Sequence, residues 1–318
     1  MGFIETGYKG KNDWWMYILG IIIIFFGTQL GSIPLGLVAF SKAGGDLAVY
    51  LEAANDNFMK MGINSNLFLF LMIFTFMMGF FALFLSVKYI HKKKFKWIVT
   101  SRALIDWKRV AFGFFSWGIL STVIILVGIY FEPELYDWNF KPTPFFTLLA
   151  VSLFFLPLQT STEEVLFRGY FMQGLGLLAK NRWFPLLMTS VIFGLLHMAN
   201  PEIDKIGNMA LVFYIGTGLF FGITTLMDEG LELALGLHAS NNIVAAFLVT
   251  TDWTVFQTDA LFVDKSEPSV SLLMFLPVFV LYPFMLFLFS QKYNWKNWKE
   301  KLFGNVEKPN LIDQNEFS

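Results

Sequence analysis

The sequence predicts an all-α, polytopic membrane protein of about eight transmembrane helices, and three observations carry that expectation. Of its 318 residues, 56% are hydrophobic and 19% aromatic, while only 15% are charged; an ordinary soluble domain is about 25% charged. Apolar runs of 18 or more residues recur along the whole chain, the length a helix needs to cross a bilayer. Lys and Arg in the connections between runs fall mostly on one side of such an arrangement. Length alone would allow two soluble domains, but the run pattern points to one membrane domain with no soluble domain attached. A net charge of −1 gives no argument for nucleic-acid binding, and the absence of cysteine excludes a disulfide, a thiolate metal site and a cysteine nucleophile.

The expected spans are 14–40, 67–89, 110–131, 145–178, 184–198, 207–227, 231–250 and 270–290. The first resembles a signal peptide only superficially. Its apolar core is too long and it lacks an early small-residue cleavage site, so it reads as a true span. Gly27 with Gly31, and Gly218 with Gly222, place small residues at helical spacing, which favours close helix packing. The fourth run is too long for one perpendicular crossing. It must tilt, break near Pro157 or project into water.

Orientation follows from the connection between the second and third spans, which holds Lys88, Lys92, Lys93, Lys94, Lys96, Arg102, Lys108 and Arg109. With that loop in the cytoplasm, both termini lie there too. Seventeen Lys and Arg then fall inside and five outside, with Arg168 in the membrane. The connections near Glu132–Asp137 and Asp252–Glu267 are acidic and fall outside. The polar tail from Gln291 to Ser318 reads as an interfacial anchor running into a short disordered end. The absence of a targeting signal is compatible with a bacterial inner (cell) membrane.

Against this background the stretch STEEVLFRGY stands out. Between residues 144 and 179 its Glu163, Glu164 and Arg168 are the only charged side chains. An ionised group at the centre of a spanning helix costs roughly 2.5–3.5 kcal/mol on insertion scales, so such residues face a protein interior or a wet cavity. Glu164 and Arg168, spaced i and i+4, can pair on one face; as a pair they suit either helix packing or a functional site. Glu163 points about 100° away and has the setting of a general base, a desolvated carboxylate among polar groups. Two of the three histidines, His197 and His238, also lie inside apolar runs, whereas His91 sits beside Lys92 at a helix end and reads as interfacial. Phe193 precedes His197 by one turn, and Asn242 follows His238 by one turn, with Asn241 near the same face. An antiparallel hairpin about residue 180 brings Glu163 level with His197. His238, ~10 Å from the cytoplasmic end of its span, fits this depth arithmetic less well. A broken helix, a projecting hairpin or a re-entrant loop around MANPEIDKIGN would have to reconcile it.

The segments EEVLFR, FGLLH and HASNN, in this order on separate spans, resemble the three motifs of the CPBP family. These are the CaaX proteases and bacteriocin-processing enzymes, also called Abi proteins, which include the type II CaaX prenyl endopeptidase. The match falls on Glu163, Glu164, Arg168, Phe193, His197, His238 and Asn242. Residues 144–250 would form the catalytic core, residues 1–143 the first three helices, and 251–318 the last helix and a polar cytoplasmic tail. The resemblance implies an intramembrane endopeptidase acting on a membrane-associated protein or peptide. Glu163 would activate water, His197 would hold and polarise it, His238 and Asn242 would stabilise the oxyanion, and Glu164 would support or share the catalysis with Arg168 behind it. The family is commonly labelled metalloprotease. Zinc on Glu163, His197 and His238 is the alternative to a metal-free glutamate mechanism; the H-E-x-x-H spacing of soluble zinc proteases is absent, and the metal-free course is the one expected. A proton-coupled transporter would also bury Glu, Arg and His, and a non-catalytic scaffold or immunity protein is a third reading.

Overall fold

The computed structural model describes residues 1–55, 57–270 and 272–309. Helix α1 (Trp14–Lys42) is followed by α2 (Leu47–Ala54), α3 (Ser65–Leu85) and α4 (Trp107–Phe131). Asp46, Asn64 and Asp106 start the last three by accepting bonds from first-turn N–H groups through their side chains, the usual remedy for unpaired donors at a helix start. Strand β1 (Tyr136–Trp138) leads into α5 (Pro142–Glu164), which opens on proline, where the missing N–H costs nothing. A π-helical segment, Val165–Phe171, joins α5 to α6 (Met172–Ala179). Then come α7 (Trp183–Leu196), α8 (Pro201–Ile206), α9 (Ala210–Asp228) and α10 (Glu232–Leu248). Strands β2 (Val249–Thr250) and β3 (Phe262–Asp264) complete a small sheet of order β1-β3-β2. Helices α11 (Tyr282–Tyr293) and α12 (Trp298–Phe303) end the described chain.

Six helices among the described residues are long and apolar enough to cross a membrane, including the continuous Pro142–Ala179. The shorter α7 and α10 occupy the other two expected spans. Residues 142–179 do not break at Pro157, which lies inside the continuous α5. The irregularity comes later, in the π-helical turn, and the 38-residue segment is ~57 Å long at helical rise, well beyond a hydrocarbon core of ~30 Å.

The connections sort onto two faces. On one, the basic face, Leu231 N donates to Val99 O at 2.8 Å, Ser101 N to Glu229 O at 3.1 Å, and Val306 N to Lys180 O at 3.0 Å. The first residues join them: Phe3 N binds Glu229, and Arg182 reaches Glu5 at 2.6 and 2.8 Å. Both ends of the described chain thus lie beside the 91–106 loop. On the opposite face sit the small sheet, α2 and α8. Asn66 there donates to Pro144 O, and Val255 N to Glu202.

The glycine pairs do pack helices. A Cβ on Gly31 would lie 2.8 Å from Thr75 Cα, and one on Gly218 2.9 Å from Ser190 Cα. Two expectations need correction. His91 is not an interfacial residue: it is wholly buried, donating from Nδ1 to Lys11 O at 2.9 Å and accepting from Tyr170 OH at 2.8 Å. The tail is not simply an interfacial anchor either. Trp295, Leu302 and Val306 are buried in the main apolar core, and Trp295 donates to Asp228. The expected disordered end, 310–318, lies outside the described residues.

Candidate active site

The site is built where α5, the π-helical turn, α7, α9 and α10 meet. Glu164 and Arg168 are wholly buried and paired at 3.1 Å. The guanidinium also donates to Gly218 O at 3.2 Å, and its Cζ lies 4.4 Å from the Phe193 ring centroid and 5.5 Å from that of Phe221. A charge in hydrocarbon is tolerable here because it meets a carboxylate, a carbonyl and aromatic faces. Phe193 therefore covers the arginine, and its ring also lies 4.6 Å from that of His197.

Glu164 Oε1 accepts a second bond, from His238 Nδ1 at 2.8 Å. This fixes the imidazole, because a carboxylate can only accept there, so Nδ1 carries a proton. The ring stacks on Phe221, centroids 5.0 Å apart. Its Nε2 then faces Glu163 Oε2 at 3.8 Å, too far for a direct hydrogen bond and suited to a shared third atom. The adjacent glutamates are thus divided: Glu164 is committed to Arg168 and His238, while Glu163 presents an oxygen to the cavity.

The depth discrepancy for His238 has a physical resolution. Helix α10 does not begin at the water boundary. Glu232 is wholly buried, bonded to Arg102 at 3.0 Å, and Leu231 is fixed under Val99. The 91–106 loop and the N-terminal residues cover this helix start, so two turns are enough to reach the interior. No broken helix or re-entrant loop is needed. The MANPEIDKIGN stretch forms a 3-10 turn, α8 and a second turn.

His197 lines the same cavity as Glu163, His238 and Asn242, a space of about 650 Å³. It makes no hydrogen bond to the other three among the described residues. Its Nδ1 donates to Phe193 O at 2.7 Å, which leaves Nε2 as an acceptor. Its ring stacks on Tyr214 at 4.2 Å and 24°. Tyr214 OH donates to Glu202, and Asn200 donates to Tyr214 OH at 3.2 Å. Among the described residues no three His, Asp or Glu side chains gather as a metal-binding group.

Residues 143–244 match the family model for Rce1-like type II CAAX prenyl endopeptidases. This match supports assigning them to the CPBP family of CaaX proteases. The chain is also similar to the uncharacterised protein YyaK of Bacillus subtilis (strain 168), 28% identical over 253 residues, which cover 78% of this chain and 82% of that protein. No solved structure matches.

The matched region leans on residues that sequence reasoning passed over. Trp117 Nε1 donates to Asn241 Oδ1 at 3.1 Å, Asn241 Nδ2 to Asn242 Oδ1 at 3.1 Å, and Asn242 Nδ2 to Gln159 Oε1 at 3.0 Å. Gln159 Nε2 closes the series on Glu163 Oε1. Every donor in this chain points toward the carboxylate, so each bond polarises the next. Gln159 was visible as a polar residue one turn before Glu163. Trp117, Tyr214 and Glu202 carry no local signal that separates them from interfacial residues. The helices before the domain also contribute, since Thr28, Met72 and Phe76 line the cavity.

Proposed function

We propose that this protein is an intramembrane endopeptidase that hydrolyses a peptide bond in a membrane-associated protein or peptide by glutamate-activated water. The division of labour between the two glutamates carries the reading. Glu163, held by Gln159 and facing His238 Nε2 across 3.8 Å, takes a proton from a water whose oxygen attacks the scissile carbonyl carbon. His197 Nε2 accepts the other water hydrogen and orients the attack. The carbonyl π pair moves to oxygen. That oxyanion is met by His238 Nε2–H, in the imidazolium form, and by the second N–H of Asn242. Glu164 supports the imidazolium from behind, as Arg168 supports Glu164. The proton on Glu163 passes to the departing amine, the C–N bond breaks as the oxyanion pair re-forms the carbonyl, and a carboxylic acid and an amine leave, the acid then giving its proton to the amine or to water. Donors fixed before the reaction are the efficient way to stabilise such charge, and a dry, walled cavity strengthens them.

In this reading the course is metal-free, with Glu164 committed to Arg168 and His238. The positive-inside distribution supports placing the basic face and both termini in the cytoplasm, and the similarity to a Bacillus subtilis protein supports a bacterial cell membrane. The deciding experiment compares wild-type and Glu163→Gln protein, purified and folded, on membrane peptides. The variant should lose ~10²–10⁴-fold in turnover, with unchanged thermal unfolding and no dependence on chelator in the wild type. Full activity of Glu163→Gln would reject the base. Stoichiometric zinc that is lost in His238→Ala, with chelator-sensitive activity restored by zinc, would reject the metal-free course.

A further inference from the structure

The polar lining of the cavity extends from Glu163 toward one face. Thr162, next to Glu163, lies at the level of Gly79 and Thr28: a Cβ on Gly79 would meet Thr28 Cγ2 at 2.6 Å and Thr162 Cγ2 at 4.0 Å. Thr28 is central in α1, and Gly79 is near the middle of the apolar Ser65–Ile90 helix. The candidate base therefore stands near mid-bilayer. From there the lining continues along α3 to Leu69, along α5 through Gln159, and along α10 through Ala245. It ends at Glu202 and the 251–256 loop on the face opposite the basic one.

Toward the basic face the way is closed. Arg168, wholly buried, bonds Gly218 O beneath the site. Tyr170 and His91 lie beyond it, bonded to each other, and Phe3 and Ile4 are wholly buried in the same end of the bundle. At that end, Val255 N of the loop donates to Glu202 Oε2 at 3.2 Å. The same carboxylate group receives Tyr214, the ring stacked on His197.

We propose that the substrate is an extracytoplasmic peptide segment, the outer juxtamembrane stretch of a membrane or exported polypeptide, entering between Glu202 and the 251–256 loop. This rests on the peptidase reading and the orientation given above. A cytoplasmic C-terminus would have to pass the Arg168 and Tyr170 layers to reach Glu163.

The chain contains no cysteine, so single cysteines report without background. Ala245→Cys probes the cavity, Asp252→Cys the rim loop and Lys94→Cys the basic loop. Each is treated with a charged, membrane-impermeant thiol reagent in intact cells and in inverted vesicles. Ala245→Cys and Asp252→Cys should react at least ~10-fold faster in intact cells, and Lys94→Cys at least ~10-fold faster in inverted vesicles. Reaction of Ala245→Cys from the inverted side, or from neither side, overturns the route, as does outside labelling of Lys94→Cys. In parallel, one peptide library is fused to the outer or the inner end of a single-span anchor and expressed with wild-type or Glu163→Gln protein. Cleavage confined to the outer fusion and to wild type is expected; cleavage of the inner fusion alone overturns the substrate side. No cleavage of either fusion, with Ala245→Cys labelled from outside, rejects the peptidase and outer-substrate readings together and leaves outside access to the cavity standing.

Discussion

Glu163 and Glu164 are neighbours in sequence, yet the helix turns one toward Arg168 and the other toward Gln159 and the cavity. The i, i+4 spacing made the first pairing readable before any coordinates. The second was missed because glutamine in a long apolar run does not announce a partner, and because its other partner, Asn242, is distant in sequence. Gln159 sits between the Asn242 amide and the Glu163 carboxylate. Replacing it with leucine keeps the volume and strands both groups. A misplacement of reacting groups by ~1 Å can cost ~10²-fold, and an unsatisfied buried polar group costs ~1–3 kcal/mol. Gln159→Leu should therefore lower kcat by about 10–100-fold with a smaller change in KM, because the chain of bonds orients the base. Steady-state kinetics on the folded variant checks this, and an effect confined to KM would count against an orienting role.

Helix starts were legible to within a turn: α4 and α5, expected from residues 110 and 145, begin at Trp107 and Pro142. They were not legible in depth. Periodicity reports a helix, but nothing local says that α10 starts under a protein layer, and this burial is what brings His238 to Glu164. The same layer explains His91. At the end of a run, beside three lysines, an imidazole reads as interfacial, yet the N-terminal residues fold over it. Burial pushes this imidazole down to about 4, with the Lys93 ammonium acting in the same direction and the bond to Lys11 O opposing it. The other groups facing it are Tyr170 and Tyr17. In the unfolded chain the ring titrates near ~6.5. Between these values the unfolded state holds the extra proton, so stability is full above ~6.5 and is lost as pH falls toward 4. Thermal unfolding in detergent should show this acid-side loss in wild type. In His91→Gln, which keeps a donor and an acceptor without titrating, the slope between pH 7 and pH 5 should be shallower. An unchanged slope would assign the acid sensitivity to other groups.

At the scale of the molecule, an all-α architecture with six long apolar helices followed from run length, since hydrocarbon thickness acts on the chain as a string. What did not follow is that the two ends help to hold the basic face together. Residues 3–8 have too little apolar length to suggest structure, but Phe3 and Ile4 are wholly buried, and Gln173 Nε2 donates to both Phe3 O and Trp97 O. Glu5 and Arg182 join the N-terminal turn to the α6–α7 hairpin, 2.6 Å apart and nearly buried. The cost of breaking such a pair falls mainly on the partner left behind: removing one member of a buried pair costs ~3–5 kcal/mol, whereas removing both can be close to neutral. Glu5→Ala should therefore lower the melting temperature in detergent markedly by leaving the Arg182 guanidinium buried without a countercharge. Adding Arg182→Met removes that charge while keeping an apolar stem against the same neighbours, so the double variant should recover much of the loss. A double variant less stable than Glu5→Ala would mean that Arg182 holds the hairpin chiefly through packing or its other contacts, and that the N-terminal turn is fixed by Phe3 and Ile4 instead of by charge.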